Sequence, residues 1–471
     1  MRKIFSLLVA LPLAAAFAEA DRTTKPAPGP APEAAFPDYT TTALSNGLKV
    51  FVIEDDRKPT LTLRLVVKAG DALDGEKPGV ANFVASLLNR GTTKLDATAF
   101  AKAVDSLGAQ LEASAGEDST SVTTSGLVKS TDALLELFSD AVRDPVFPAE
   151  EFTKEQKRTL SSLAAQKKTP SALVGNLMNK VLFGSHPYGS ITTPESVQSI
   201  TRDDLVAFHK TWFAPNNASL VVVGDVKAAH IVPRLEKAFG SWAKKDLPAV
   251  KKSALPEHKG LTIHLLDRPG SVQSSIIVTH LGPPRKNPVL PELNVMNATL
   301  GGGFSGRLFQ NLREKHGYTY GSSSAFGFNA DAGYFQATAE TRNEVTAPAV
   351  QEILAEMKRI REEPIPEPEL ELQRQYNVGN YLLSLENVSR VATRVQDIEL
   401  YGLDPDFYKT YAKRMAAVTP ASARELAQKY ITPEDACVIV VGEAKQVRAD
   451  LEKLGKVTLY DTDYHIVPEQ K

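Results

Sequence analysis

Two stretches of this chain carry side chains that could do chemistry. The first is Pro78 to Arg90, PGVANFVASLLNR, where Val80, Phe83, Val84, Leu87 and Leu88 mark the buried stripe of a helix. Asn82, Ala85 and Ser86 share another face of it, at i, i+3 and i+4. The second is Leu300 to Gly321, LGGGFSGRLFQNLREKHGYTYG, with glycines at 301, 302 and 303 followed by Arg313 and Tyr320. By spacing alone, Arg313 reads as a surface helix residue and Tyr320 as a core aromatic.

Several chemistries are excluded at once. The eight histidines stand at 186, 209, 230, 258, 264, 280, 316 and 465, and no two are four apart, so no helical H-x-x-x-H face exists. The single cysteine, Cys437, rules out an internal disulfide and a Cys-rich zinc site. Amides and hydroxyls are poor zinc ligands beside imidazole and thiolate. Gly301, Gly303 and Gly306 match G-x-G-x-x-G in form only, because Leu293 to Leu300 before them reads as a helix and not as the strand a dinucleotide site needs. Neither a P-loop nor a G-x-S-x-G elbow is present.

The elements that must position these residues form a repeat. FAPNNASLVVVGD (Phe213 to Asp225) lies over ITPEDACVIVVGE (Ile431 to Glu443) without a gap, at an offset of 218, and both read as a buried strand closing a half. Thr201 then pairs with Thr419, and Phe183-Gly184 with Tyr401-Gly402. NGLKVFVIED (Asn46 to Asp55) resembles KGLTIHLLDR (Lys259 to Arg268) at an offset of 213. Each half opens with strands and continues into helices, such as Phe152 to Gln166. The expectation is an α+β fold of two duplicated domains, each an antiparallel-rich sheet covered by helices. Their limits are 38–243 and 260–471, joined by a Lys/Pro-rich linker at 244–259.

The chain has 471 residues, 42% of them hydrophobic, with 54 basic and 56 acidic side chains. That is enough for large cores, and a formal charge of -2 gives no pull toward nucleic acid or anionic membranes. Arg2 and Lys3 precede an apolar run from Ile4 to Ala18, with small residues at Ala16, Ala18 and Ala20. This is the pattern of a secretory signal peptide, residues 1–20, followed by a Pro/Ala-rich tether over 21–37. No later segment reads as a membrane span, and a periplasmic or secreted protein is expected.

GVANFVASLLNRGT, FGSHPYGSITTPESVQSI, SLVVVGDV and LGGGFSGRLFQNLREKHGYTYGSSS, in that order, resemble the insulinase/pitrilysin family of zinc metallopeptidases, in its processing-peptidase-like branch. The resemblance implies H-x-x-E-H on the helix at Pro78–Arg90 and a third, glutamate ligand some seventy-odd residues on. Two histidines one turn apart would face the metal, and the glutamate between them would activate its water. Here those places hold Asn82, Ala85 and Ser86, with Ser162 or a neighbour at the distal position. The resemblance also makes Arg313 and Tyr320 a substrate-positioning pair able to grip a peptide carbonyl. Gly301–Gly303 becomes a glycine segment near substrate, with a packing turn as the alternative. The implied protein holds no metal and no catalytic residue of its own. It pairs with a homologous zinc-bearing subunit, positions peptide substrates, and is inactive alone. A non-catalytic peptide-binding scaffold and a structural subunit of a membrane complex are the competing classes.

Overall fold

The computed structural model describes residues 35–250 and 253–468. The expected signal peptide and most of the 21–37 tether lie outside the described residues. Among the described residues, twelve strands form two six-stranded sheets. In the first half they are β1 (Thr40–Ala43), β2 (Lys49–Glu54), β3 (Thr60–Val67), β4 (Gln110–Ala115), β5 (Thr120–Leu127) and β6 (Ala218–Gly224). In the second they are β7 (Thr262–Asp267), β8 (Gln273–Gly282), β9 (Thr319–Phe328), β10 (Gly333–Arg342), β11 (Cys437–Gly442) and β12 (Val457–Tyr460). The first half carries helices α1 (Val80–Leu87), α2 (Ala97–Ser106), α3 (Thr131–Arg143), α4 (Ala149–Gln166), α5 (Pro170–Phe183), α6 (Pro194–Ser199), α7 (Arg202–Trp212) and α8 (Ala228–Phe239). The second carries α9 (Leu290–Gly301), α10 (Arg307–Phe309), α11 (Thr346–Glu362), α12 (Glu367–Ser384), α13 (Val388–Tyr401), α14 (Tyr411–Ala416), α15 (Pro420–Tyr430) and α16 (Ala444–Leu451).

The sheet orders are β1-β2-β6-β3-β5-β4 and β12-β7-β11-β8-β10-β9. The duplication extends to strand register. Lys49 faces Ser219 across the parallel β2–β6 pair, and Thr262 faces Cys437 across β7–β11. Leu65 faces Leu220, and Val278 faces Val438, across the antiparallel neighbours. The offsets of 213 and 218 seen in the sequence convert one pairing into the other. Thr201 and Thr419 both cap helices through capping boxes, with Asp204 and Ser422 as the third residues. The halves differ at one edge, where β1 joins antiparallel and β12 parallel.

Two details depart from the sequence expectations. Neither half closes on its apolar strand, since α8 follows β6 and α16 follows β11. The helix expected over 78–90 begins at Val80, so Pro78 stands outside its first turn. Gly79 caps it at φ 112°, a left-handed conformation open to glycine, while the Asp74 carboxylate accepts the N–H groups of Gly79 at 2.6 Å and Ala81 at 2.8 Å. A carboxylate from upstream does the work of the usual N-cap residue, which leaves no need for proline inside the helix.

The central strands are apolar on both faces, and each face has its own cover. Leu220 and Val222 of β6 pack into the first half's core, while Val221 and Val223 pack with Val391, Ala392 and Val395 of α13. Reciprocally, Cys437, Ile439 and Val441 of β11 pack under Leu173, Val174, Leu177 and Met178 of α5. Each half therefore lends one helix to the other half's sheet. Gln396 of α13 seals the exchange by donating to the backbone carbonyls of Arg64 at 2.7 Å and Ser219 at 3.2 Å. Four buried side chains of this kind, at about 1.5–3 kcal/mol each, rival the about 5–15 kcal/mol by which a domain is stable. Residues 35–250 and 253–471 expressed apart should accordingly fail to give cooperative thermal transitions, and co-expression should restore one. Independent cooperative melting of either piece would contradict this packing account.

Candidate functional site

Helix α1 presents Asn82 and Ser86 to a cleft of ≈ 300 Å³ between α1, α4 and α5. Ser162 and Glu155 of α4 line it, as do Asn176 and Asn179 of α5. Ala85 is buried and is not among the lining residues. The structure thus brings Asn82, Ser86 and Ser162 together in one place.

Asn82 donates its amide to Asp71 Oδ1 at 2.9 Å. Asp71 and Glu117, from the loops beside the cleft, complete its wall. Burial pushes the Asp71 carboxyl up to about 6, with the Asn82 bond pulling the other way. Glu117 rises to about 8, first through burial and then through the neighbouring charges of Asp71, Asp118 and Asp74. Asp74 rises to about 7, again from burial, against the backbone N–H bonds it accepts. Asp118 is raised by burial while it accepts the Tyr188 hydroxyl at 2.5 Å and the Ala330 N–H at 2.8 Å. That acid ties the β4–β5 turn to the β9–β10 turn of the second half.

This donor set does not fit a zinc ion. The two α1 positions and Ser162 offer an amide and hydroxyls, which are poor zinc ligands beside imidazole and thiolate. Among the described residues, no group of three or more His, Cys, Asp or Glu side chains is arranged to hold a metal.

Arg313 and Tyr320 lie elsewhere, on the second half. Among the described residues, none of the second half lines the cleft. Arg313 sits in a π-helical segment, Gln310–Lys315, that continues α10. Its side chain is 42% exposed, lies over the Phe309 ring at 4.9 Å and approaches Glu314 at 3.6 Å. Tyr320 is 88% exposed on β9, an outer strand of its sheet. No hydrogen bond or ring contact joins the two among the described residues. Gly301 ends α9 against β9, where a Cβ would stand 2.3 Å from the Ser324 backbone nitrogen, so only glycine fits that crossing. Gly302 meets Ala298 in the same way, and Gly303 follows at φ 139° with open space around it. A packing turn accounts for the first two glycines. Leu293 to Leu300 lies within helix α9, which leaves G-x-G-x-x-G without its strand.

Sequence reasoning missed Asp71, Asp74 and Glu117, because lone acids in loops carry no spacing signal, and for the same reason it read Glu155 as an ordinary solvated helix residue. It also missed the π-helical turn.

Residues 49–194 match the family model described as Insulinase (Peptidase family M16), and residues 199–377 match the one described as Peptidase M16 inactive domain. An uncharacterized zinc protease of Rickettsia bellii is 26% identical over 357 residues, covering 75% of this chain and 85% of that protein. The uncharacterized zinc protease YmxG of Bacillus subtilis is 25% identical over 358 residues, covering 74% and 85%. Among solved structures, a peptidase M16 inactive domain from Pseudomonas fluorescens superposes with a TM-score of 0.81 at 26% identity, over 86% of this chain and 98% of that one. A protease from Helicobacter pylori shares the fold at a TM-score of 0.80 and 22% identity, over 86% and 99%.

The raised carboxyls have a thermodynamic consequence. The folded state holds protons that unfolded carboxyls, with values near 4, release, so this stability is present at low pH and lost as pH rises through about 6 to 8. Burial lowers His209, His264 and His280 to about 4, and their contribution instead falls away as pH drops below the usual 6.5. Between pH 6.5 and 8.5 the carboxyls dominate. The melting temperature should fall across that window, and Glu117→Gln should raise it at pH 8.5 by about 1–3 °C. An unchanged slope in the variant would count against Glu117 as a source.

Proposed function

The chain belongs to the insulinase family (peptidase family M16), and from that premise we propose that it is the metal-free, substrate-positioning subunit of an exported heterodimeric zinc metallopeptidase. One observation carries this reading. Among the described residues, no imidazole lines the cleft holding Asn82, Ser86 and Ser162, while Arg313 and Tyr320 stand exposed on the other half. A homologous partner with H-x-x-E-H would supply the metal. The basic start and apolar run of residues 1–20 support export to the periplasm or beyond.

This chain's own part is to bind and orient an extended peptide. The Arg313 guanidinium and the Tyr320 hydroxyl donate hydrogen bonds, and both reach solvent from the start of β9 and the turn before it. An extended peptide can also add to an outer strand, taking up its unpaired N–H and C=O groups. Strand β4 suits this role, since it is outermost in its sheet and packs beside α1. Asn89 donates to the Leu111 carbonyl at 3.0 Å and holds the two elements together.

The purified chain should carry well under one zinc per molecule and show no chelator-sensitive cleavage of reduced, carboxymethylated α-lactalbumin. Cleavage should appear on adding an H-x-x-E-H homologue from the same cell. In that pair, Arg313→Ala or Tyr320→Phe here should lower kcat/KM by about ten- to a hundredfold, as loss of one hydrogen bond at a charged or reacting group does. Robust metal-dependent cleavage by the chain alone would overturn the assignment. The combined change Asn82→His, Ala85→Glu and Ser86→His should still bind zinc weakly in calorimetry, because Ser162 leaves the site without its distal carboxylate. Tight stoichiometric binding would show that Glu155, or another cleft acid, can complete a site.

A further inference from the structure

The two halves differ at the place that carries Arg313. Between α1 and β4 the first half has the regular ten-residue helix α2. At the matching place between α9 and β9, the second half has three residues of α10 and then six in a π-helical turn. The turn is closed by the His316 N–H donating to the Asn311 carbonyl at 3.1 Å, five residues back. A π-helical turn is rare, and it persists only where something holds it.

Here two clamps hold it. At its base, the buried Arg307 guanidinium makes a two-pronged contact with Glu369 of α12, at 2.8 and 3.0 Å. Within the turn, the buried Asn311 amide donates to Glu352 Oε2 at 2.9 Å and to Glu356 Oε1 at 2.8 Å, both on α11. Arg359 backs Glu356 at 3.3 Å, and the His316 ring stands 3.8 Å from Glu352 and stacks on Tyr318. Two residues after Asn311, Arg313 points outward over Phe309. Asn311 and Leu312 are the buried members of this turn, and the two carboxylate partners of Asn311 leave its amide one orientation.

We infer that Asn311, held by Glu352 and Glu356, is a positioning residue that aims Arg313 at the peptide. The inference rests on the reading of Arg313 as a peptide-gripping side chain. Asn311→Asp places a third carboxylate against two others and removes both bonds. Changing Asn311→Asp, Glu352→Gln and Glu356→Gln together restores both bonds with donor and acceptor exchanged.

The test is the affinity of the full chain for fluorescein-labelled, reduced and carboxymethylated α-lactalbumin, read by anisotropy, with thermal midpoints recorded alongside. Arg313→Ala should weaken binding about tenfold and Asn311→Asp at least about fivefold. The double variant Arg313→Ala/Asn311→Asp should bind no worse than Arg313→Ala, because an aiming residue has nothing left to aim. The exchanged triple variant should return to within about twofold of the wild type, and it decides the matter should Asn311→Asp prove unstable. A wild-type chain that does not bind, or an Arg313→Ala chain that binds as well as the wild type, overturns the reading of Arg313 and this inference with it. A weakened Arg313→Ala chain beside unimpaired or purely additive Asn311→Asp, or a triple variant that stays impaired, overturns the inference alone.

Discussion

A strand that is apolar on both faces must be covered on both, and in this chain neither half can do that for itself. Strands β6 and β11 each have one face closed by their own helices and the other by a helix from the opposite half. The exchange of α5 and α13 makes one body of two homologous units. It also ties the cleft to the second half, because α5 has two working faces. Leu173, Val174, Leu177 and Met178 close the second sheet, while Asn176 and Asn179 line the cleft beside Asn82.

Acidic side chains gather beside the cleft. Asp71, Asp74, Glu117 and Asp118 are brought close by the loops after β3 and β4, and burial shifts each toward its protonated form. Three of them serve as hydrogen-bond acceptors, Asp74 for the start of helix α1, Asp71 for Asn82 and Asp118 for the second half's turn at Ala330.

Much of this was legible in the sequence. The runs SLVVVG and CVIVVG read as buried strands because every residue is apolar or small, and their offset carried the duplication through to register. Membership of the family was legible in the glycine-rich second-half motif and in the order of the motifs. The helix exchange was not, because a periodic pattern shows that a face is apolar and not what will cover it. The start of α1 was misread at Pro78 because its cap, Asp74, comes from outside the local window. The π-helical turn at Gln310–Lys315 left no period to read in six residues. The acids around the cleft gained meaning only from burial.

The central claim is that the polar cleft of Asn82, Ser86 and Ser162 is unfit to hold a metal, and it underlies the proposal that Arg313 and Tyr320 serve a partner's zinc site. Anomalous diffraction at the zinc edge, from crystals of the isolated chain grown with excess zinc, addresses it most directly. The account predicts no anomalous peak among Asn82, Ser86 and Ser162. A fully occupied peak there, with side chains of this chain in tetrahedral arrangement around it, would contradict it.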